Sequence, residues 1–554
     1  MHYTLPLGRP FARVVHLPDV PRTARWHAVI SDKPGTDHGW ENAMLIEQRS
    51  TTDTTEAPAR PAHGRRYPIY VLLVLTLVSC VSALDRQIFS ILAQSIKHDL
   101  GLTDTEMGFL FGTAFAVFHA LFGLMLARLA DGWSRQRLIA AALVAWSAIT
   151  GFNGLAGNFW QLLAARMGVS IGESVASPAA FSLLAEWFPA RRRATALAVY
   201  SGGAFVGAGL GLALGGAVAH AWDMHFAGAA PLNLRGWQVA FFAAGAPGLC
   251  LALWVRTLRS HAPRLRDARL APLVWREMRL AVPPLNCLAV LQQRDGALLR
   301  DNLVLMAALT VLASGIASWS GDWVQWLLLA LGVYAAGTWL QLLNRSEPQV
   351  AALFIRRRTL TFLSLGCGFA SAINAATAMW MAPFLIRTYG LNIAQAGWQL
   401  GVAFAASGWL GVIIGGVAAD RLREITPRGR IHVATLATAL PLPFLWLSIH
   451  AATAVGAVSW LFFANLFATL WVAAGSTSVQ ELTPLHARAT ASAFYLLVVT
   501  YVGMALGPYT VGKLSDALGN LGSAILSQAC VTAALACLCF VFAARHVARE
   551  QLPE

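Results

Sequence analysis

The sequence predicts an all-α polytopic membrane protein, and three observations support this fold class. Apolar residues make up 57% of the 554-residue chain and charged residues only 12%, whereas soluble domains are about half apolar and a quarter charged. The apolar residues form blocks of about 20, the length that crosses roughly 30 Å of hydrocarbon. Arginines fall between these blocks, as in cytoplasmic loops, so the net charge of +14 does not indicate nucleic-acid binding.

The chain divides into five predicted segments. Residues 1–66 are polar, rich in Pro, Thr, Arg and His, and aperiodic, which predicts a disordered cytoplasmic tail. A first six-helix half at 67–257 is followed by a cytoplasmic linker at 258–359, which holds an inserted transmembrane hairpin at about 302–343. A second six-helix half at 360–545 and a short tail at 546–554 complete the chain. The placement of the arginines predicts that both termini are cytoplasmic, in a plasma or inner membrane.

Fourteen spans are predicted along the chain. Those of the first half lie at about 68–96, 107–129, 138–157, 160–193, 194–219 and up to 255. The hairpin contributes 302–319 and 323–343, and the second half contributes 360–386, 396–419, 431–450, 455–479, 489–512 and 522–544. The alternative for the hairpin blocks is that they lie on the membrane or within the linker. The fifth span is rich in glycine, which allows close helix packing.

An internal repeat relates the two halves. Three short motifs recur in the same order: Ala127–Asp131 with Gly416–Asp420, Pro189–Arg193 with Pro484–Arg488, and Gly207–Gly211 with Gly503–Gly507. The first two pairs are separated by 289 and 295 residues. Such near-constant spacing predicts two parallel halves around a central site, a layout typical of secondary transporters.

Ionisable residues inside the apolar spans are the strongest functional candidates. Arg166 and Glu173 lie two turns apart on one face of the fourth span, and Asp85-Arg86 lies in the first span. Charge is costly in lipid, so these groups must face partners or a water-filled cavity. The helical rise places Asp85 and Arg166 at similar depth and Glu173 about 10 Å further in. A carboxyl group whose surroundings change can act as a proton switch; the alternatives are a static ion network or direct substrate binding.

Several of these motifs resemble the major facilitator superfamily over about residues 67–544. Its signature loop, G-x-L-A-D-R-x-G-R-R, is similar to A-R-L-A-D-G-W-S-R-Q-R at 127–137, although both glycines differ. The stretches DRQIFSILAQSIKHDLGLTDTEMGFLFGTAF and RMGVSIGESVASPAAFSLLAEWFP resemble its spinster-like branch.

The resemblance implies the major facilitator fold of two six-helix halves and transport by alternating access. It implies proton-linked roles for Asp85 and Glu173, with Arg86 and Arg166 as their charge partners. It also implies that gating contacts between the halves involve Asp131, Arg135, Arg137, Asp420 and Arg421. Asp131 is expected to face the N-terminus of the helix that begins near Ala489.

Polar and aromatic residues of the seventh, tenth and eleventh spans are weaker candidates for a substrate cavity. They are Asn374, Thr377, Trp380, Asn465, Tyr495 and Tyr501. Each is also suited to helix–helix hydrogen bonding. The resemblance to the spinster-like branch implies an amphiphilic, lipid-like substrate, and the arginines of the proposed cavity favour an anionic group on it. A small organic acid, such as a sugar acid or an aromatic acid, is the alternative cargo, and a non-transporting sensor of the same fold is the alternative function.

The sequence does not predict an enzyme, a cofactor or a metal site. No phosphate-binding loop indicates ATP use, and the seven cysteines lack metal-ligand spacing. Gly168-Val-Ser170-Ile-Gly172 matches the hydrolase motif G-x-S-x-G, but a transmembrane helix cannot provide the strand–turn–helix context. The expected partners are the substrate, protons and membrane lipids, and the chain is expected to be a monomer that binds no nucleic acid.

Overall fold

The structure is a computed structural model of the chain. It describes residues 66–226, 230–259, 285–484 and 487–550, with 274–275, 278–279 and 282–283 between them. These residues are almost entirely helical and include no strand. The predicted tail at 1–66 lies outside the described residues apart from Arg66, and so does 551–554 of the predicted C-terminal tail.

Helices α1 to α8 form the first half. Their bounds are α1 Tyr67–Leu100, α2 Asp104–Phe111, α3 Thr113–Gly132, α4 Arg135–Asn153, α5 Phe159–Glu173, α6 Ala176–Trp187, α7 Ala190–His225 and α8 Gly236–Val255. Local residues set several ends: Thr103 accepts a hydrogen bond from the Glu106 amide and caps α2, and Asn158 caps α5 in the same way. Gly101 ends α1 in the left-handed conformation.

The fourth span is not the single helix that the sequence predicts from 160 to 193. It is divided into α5 and α6 by a break at Ser174 and Val175, and α7 begins at Ala190. Pro178 has no N–H to bond the carbonyl group of Ser174, so a continuous helix would lose a hydrogen bond at this position. The second span is likewise divided, into α2 and α3, at Gly112.

The linker hairpin and the second half follow. Their bounds are α9 Leu285–Gln292, α10 Gly296–Ser320, α11 Trp323–Ser346, α12 Pro348–Arg356, α13 Arg358–Tyr389, α14 Ile393–Ile425, α15 Gly429–Ala439, α16 Pro441–Ile449, α17 Ala454–Ala468, α18 Trp471–Glu481, α19 Arg488–Val498, a π-helical segment Val499–Ala505, α20 Leu506–Leu518 and α21 Leu521–Glu550. The eleventh span thus contains a π-helical interruption, a feature frequent at functional sites.

Twelve helical stretches in the described residues are long and apolar enough to cross a membrane. Both hairpin helices, Gly296–Ser320 and Trp323–Ser346, are among them, whereas α4 and the divided α5–α6 are not. The all-α multi-pass fold is confirmed, and the count of fourteen spans stays a prediction. Below, the end of the bundle that carries the α1–α2 link, predicted to lie outside, is called the outer end.

Two seams join the halves. The first seam is formed by α2 and α3 with α20 and the π-helical segment, and the second seam by α7 with α14. A methyl group on Gly108 would overlap the backbone oxygen of Pro508 in the first seam, and one on Gly397 would overlap that of Leu212 in the second. Gly108 and Gly397 are separated by 289 residues, the spacing of the first pair of repeated motifs, so these matched close approaches support the internal repeat.

The hairpin packs over the first seam. A methyl group on Gly332 of α11 would lie 3.0 Å from Val117 of the first half and 3.1 Å from Tyr501 of the second. At the hairpin tip, the Asp322 carboxylate accepts a hydrogen bond from the Tyr509 hydroxyl at 2.7 Å and pairs with Lys513 at 2.8 Å. The hairpin is therefore tied to α20 at its outer end and touches both halves.

Candidate functional site

A cluster of four charged side chains lies inside the first half. Asp85 and Arg86 are adjacent on α1, and Arg166 and Glu173 are on α5, as predicted. The exposed fractions of Asp85, Arg166 and Glu173 are only 1%, 1% and 2%. Groups this deep are retained at a cost in folding free energy, which makes the cluster the leading candidate site.

Glu173 is the member with the most polar contacts. Its Oε2 accepts a hydrogen bond from the Ser82 hydroxyl at 2.9 Å and lies 3.5 Å from Nε of Arg86. The Arg86 side chain is 30% exposed, so this ion pair joins a buried carboxylate to a partly accessible cation. The other carboxylate oxygen, Oε1, is buried with no hydrogen-bond partner among the described residues.

Arg166 contacts aromatic rings and the Leu110 carbonyl oxygen, which lies 3.4 Å from its Nε, and its role as a charge partner of the buried carboxylates stays a prediction. Its guanidinium lies 4.6 Å from the ring centre of Phe89 and 5.2 Å from that of Phe115. Within the described part of the chain it forms no ion pair, and its Nη2 is buried without a hydrogen-bond partner. The ring faces are electronegative, so they stabilise a desolvated cation.

Asp85 is the least satisfied carboxylate of the cluster. Its Oδ2 accepts one long hydrogen bond, from the Thr150 hydroxyl at 3.4 Å, and its Oδ1 is buried with no partner among the described residues. Unpartnered atoms therefore occur on Asp85, Arg166 and Glu173 alike. Buried polar groups in this situation are commonly satisfied by water or by a ligand.

Ser170 takes part in helix packing. Its hydroxyl donates a hydrogen bond to the Phe115 carbonyl oxygen at 2.5 Å. The flanking glycines Gly168 and Gly172 lie against Ile149 and Trp146 of α4. The G-x-S-x-G match is thus part of a helix-packing surface, as the sequence context indicates.

Three of the six predicted cavity residues are used in helix hydrogen bonds. Thr377 donates to its own helix, to the carbonyl oxygen of Ile373 at 2.7 Å. Trp380 donates to the Pro508 carbonyl oxygen at 2.9 Å, and Asn465 donates to the Ser407 hydroxyl at 2.8 Å. Their predicted contact with substrate stays a prediction.

The other three predicted cavity residues are dispersed. Tyr501 lies beside Gly332 of the hairpin. The Asn374 Oδ1 atom is buried without a hydrogen-bond partner among the described residues, and the Tyr495 hydroxyl is buried beside the Cys367 thiol. A cavity role for these three residues also stays a prediction.

Two of the five predicted gating residues pair within their own half, and the gating contacts between the halves stay a prediction. Arg135 forms an ion pair with Glu186 of the first half, and Asp420 pairs with Arg430 of the second at 3.1 Å. Arg137 and Arg421 are exposed. The side chains of Asp131 and Ala489 fall outside the described residues.

A set of polar contacts at the outer end, here called the outer lock, joins the two halves, and the sequence did not predict it. Asp104 at the start of α2 accepts two hydrogen bonds from Arg387 of α13, both at 2.7 Å, and one from Ser515 at 2.7 Å. Asp516 of α20 accepts from the backbone amides of Asp104 and Thr105 at the N-terminus of α2. The sequence feature that could have indicated this contact is that Arg387 is one of the few arginines in the outer links.

Comparisons with known proteins agree with this architecture. A family model described as the Major Facilitator Superfamily matches residues 75–508. A Mycolicibacterium smegmatis protein described as an MFS-type efflux pump is 28% identical over 498 residues, which is 89% of this chain and 96% of that protein. An Escherichia coli K12 protein described as a probable galactarate/D-glucarate transporter is 22% identical over 518 residues, or 90% and 99% of the two chains.

The fold is also found among solved structures. An inward-facing, unoccupied bacterial homolog of the human lysosomal transporter Spinster superposes with a TM-score of 0.65 at 22% sequence identity. The match covers 89% of this chain and 100% of that one. At this identity the likeness establishes the fold.

Proposed function

The chain belongs to the Major Facilitator Superfamily and is a multi-pass membrane transporter, and we propose that it couples substrate movement to protons by alternating access. The buried charge cluster carries this proposal. A desolvated carboxylate costs several kcal/mol unless a cation or hydrogen-bond donors accompany it. Glu173 has both, in Arg86 and Ser82, so its protonation and its pairing with Arg86 depend on each other.

The proposed coupling is a competition for Arg86. When Glu173 is ionised it holds Arg86, and when it is protonated Arg86 is free to bind an anionic group of the substrate. Arg86 suits this role because it is the accessible cation of the cluster, with 30% of its side chain exposed. Return of the carboxylate to Arg86 then displaces the anion, which links proton release to substrate release.

The proposed substrate is a small organic anion with an apolar body. Arg86 supplies the cation, and it lies 5.9 Å from the Phe115 ring centre, so the anion site adjoins an aromatic surface. The relative described as an MFS-type efflux pump supports the transport function and names no cargo. The relative described as a galactarate/D-glucarate transporter supports the second candidate, a sugar acid.

Transport by the purified chain in vesicles tests the proposal. The probes are a lysophospholipid, galactarate and an aromatic acid, each with and without an imposed pH gradient. We expect one class to move faster with the gradient and Glu173→Gln to abolish that stimulation, whereas the exposed control Glu424→Gln retains it. If no probe moves, or if Glu173→Gln responds to the gradient as the parent does, proton coupling at this cluster is wrong.

Orientation and assembly are part of the same proposal. We place both termini in the cytoplasm because arginine-rich links alternate with arginine-poor ones, and we propose a monomer in the plasma or inner membrane. Protease protection of epitope tags at the two ends of the chain in sealed cells tests the orientation. Exposure of either tag to external protease contradicts it.

A further inference from the structure

A proline in α13 leaves a backbone carbonyl group without its helical partner. Pro383 lies inside α13 and has no N–H. The carbonyl oxygen of Met379, four residues earlier, therefore lacks the hydrogen bond that a continuous helix would give it. A carbonyl group unpaired in an apolar interior is costly, so another donor must reach it.

Two side chains of the first half donate hydrogen bonds to this part of α13, and one of them reaches the Met379 carbonyl oxygen. The Ser90 hydroxyl of α1 lies 2.8 Å from the Met379 carbonyl oxygen and 2.8 Å from that of Ala378, so its proton is shared between them. The Gln87 side-chain amide donates to the Ala378 oxygen at 2.6 Å. Ser90 is 0% exposed and Gln87 8%. We call these contacts of Gln87 and Ser90 with α13 the carbonyl latch.

The carbonyl latch is continuous with the charge cluster. Gln87 directly follows Asp85 and Arg86 on α1. Between Gln87 and Ser90 lies Phe89, whose ring is the nearest of those that contact Arg166. A shift of this turn of α1 relative to α5 therefore moves Phe89 against Arg166 and moves Arg86 against Glu173.

We propose that Gln87 and Ser90 are positioning residues that couple the charge cluster to the second half of the molecule. The inference rests on the proposed alternating access. Closure of the outer end brings the α13 carbonyl groups to Ser90 and Gln87, which fixes the α1 turn that carries Arg86 and Phe89. Opening of the outer end breaks these hydrogen bonds and releases that turn. The position of the second half therefore changes the contacts within the charge cluster.

The distance between the outer ends of the two halves is the first measurement. Spin labels at His98 and Val455, both exposed, report it in the full chain in vesicles, with all seven native cysteines replaced by alanine. Loss of one hydrogen bond corresponds to about a fivefold change in an equilibrium constant. We expect Ser90→Ala and Gln87→Leu each to raise the ratio of outer-open to outer-closed molecules about fivefold.

A buried serine of α13 provides the matched control. Ser364 is 0% exposed, like Ser90, but its hydroxyl donates to Leu360 within its own helix. Ser364→Ala is expected to leave the ratio unchanged. Equal effects of Ser90→Ala and Ser364→Ala would overturn the proposal.

Restoring the missing N–H tests the role of the proline. In Pro383→Ala, the amide of residue 383 can bond the Met379 carbonyl group, so Ser90 becomes partly redundant. We expect Ser90→Ala to change the ratio much less in the Pro383→Ala background than in the parent, a coupling that a double-mutant cycle measures. The same effect in both backgrounds contradicts the proline-based latch.

The pH dependence of the same distance separates positioning from plain stabilisation. The titratable or charged groups around the cluster are Asp85 and Arg86 on α1, His119 on α3, Arg166 and Glu173 on α5, and Tyr200 on α7. If one of these protons is linked to opening, a fivefold change in the ratio moves the midpoint pH of the transition by up to about 0.7 unit. An unchanged midpoint in Ser90→Ala overturns the coupling.

Asp104→Asn distinguishes failure of the latch from failure of the proposed function. This variant weakens the outer lock by a different route, and alternating access predicts that it also populates the outer-open distance. If Asp104→Asn opens the outer end and Ser90→Ala does not, the latch alone is wrong. If no variant yields a second distance, alternating access is wrong and the latch falls with it.

Discussion

At the scale of single residues, the surroundings of Arg166 decide what its charge can do. The guanidinium is buried between the rings of Phe89 and Phe115, with Phe111 further away at 6.0 Å. A planar, weakly hydrated cation is suited to ring faces, whereas a lysine ammonium is compact and strongly hydrated. Arginine in particular, and not positive charge in general, is therefore expected at this position.

Arg166→Lys tests this requirement. The substitution keeps the charge but loses the stacking, so we expect proton-gradient-driven transport to fall about tenfold, in keeping with a buried cation–π contribution of about 1 to 2 kcal/mol. The measurement is initial transport rate in vesicles, at matched amounts of folded protein. The exposed Arg192→Lys serves as the control, and full activity of Arg166→Lys would contradict a role for the rings.

Two roles for Trp380, helix packing and substrate contact, can be distinguished by substitution. Its indole N–H bonds the Pro508 carbonyl oxygen, and the side chain is 1% exposed. We expect Trp380→Phe to lower the free energy of unfolding by about 1 kcal/mol, because phenylalanine cannot donate that hydrogen bond. Denaturant unfolding in detergent measures the change, with the exposed Trp398→Phe as control. A shift in substrate preference at unchanged stability would instead support the predicted cavity role.

At the scale of helices, repeat-related glycines set how closely the two halves can pack. Gly108→Ala and Gly397→Ala each place a methyl group against a backbone oxygen of the opposite half. Overpacking of this kind costs about 1 to 3 kcal/mol, so both variants should favour opening of the outer end, as measured by the distance between labels at His98 and Val455.

A glycine outside the seams is the control for this prediction. Gly315 of α10 has no atom within 4 Å of an added methyl group. Gly315→Ala is expected to leave the label distance unchanged and to stabilise α10 by about 0.5 to 1 kcal/mol, the usual gain over glycine in a helix interior. Unchanged label distances in both seam variants would show that the glycine contacts do not hold the outer end closed.

At the base of the hairpin, the N-terminus of α10 is capped by a residue whose effect depends on pH. Asp295 precedes α10, and the Leu298 amide that donates to its carboxylate holds the pKa of Asp295 below its ordinary value, with Arg345 of α11 acting in the same direction. A lowered folded-state pKa means that the stabilisation is present above the ordinary pKa of about 3.9 and is lost as pH falls through the folded value.

Asp295→Ala should therefore destabilise the first turn of α10 at neutral pH but not in acid. We expect lower hydrogen-exchange protection in the first turn of α10 at pH 7, and convergence with the parent protein at about pH 2. Asp301→Ala is the control, because Asp301 pairs with its exposed neighbour Arg300. A difference that persists in acid would show that the charge of Asp295 does not act as the cap.

At the scale of the whole molecule, Arg387 and Arg235 both lie in outer links, but Arg387 pairs with a carboxylate of the opposite half and Arg235 with one of its own half. Arg387 binds Asp104 across the halves, whereas Arg235 binds Asp99 within the first half. Arg387→Gln is expected to raise the ratio of outer-open to outer-closed molecules about tenfold, since it removes two charge-assisted hydrogen bonds between the halves and leaves Asp104 with Lys97 and Ser515. The label distance between His98 and Val455 measures the effect.

Arg235→Gln is the matched control for the outer lock. It removes an outer arginine and its ion pair but no contact between the halves, so the label distance should stay at the parent value. Equal opening in Arg235→Gln and Arg387→Gln would attribute the effect to the loss of outer positive charge and not to the lock.

The sequence by itself determined the class of the protein, its division into two repeated halves and the location of Asp85, Arg86, Arg166 and Glu173 as charges within apolar spans. These properties are local: the hydropathy of about 20 residues decides whether a segment can cross lipid, and a charge within such a segment stands out because lipid penalises it.

Only the tertiary structure decided the partners of these groups and the contacts that hold the halves together. The outer lock joins Asp104 to Arg387 over 283 residues, and the carbonyl latch joins Ser90 to Met379 over 289. The rings that hold Arg166 likewise come from α1, α2 and α3. Such contacts form when apolar faces of distant helices pack, and a local pattern of residues specifies which face is buried but not which helix will cover it.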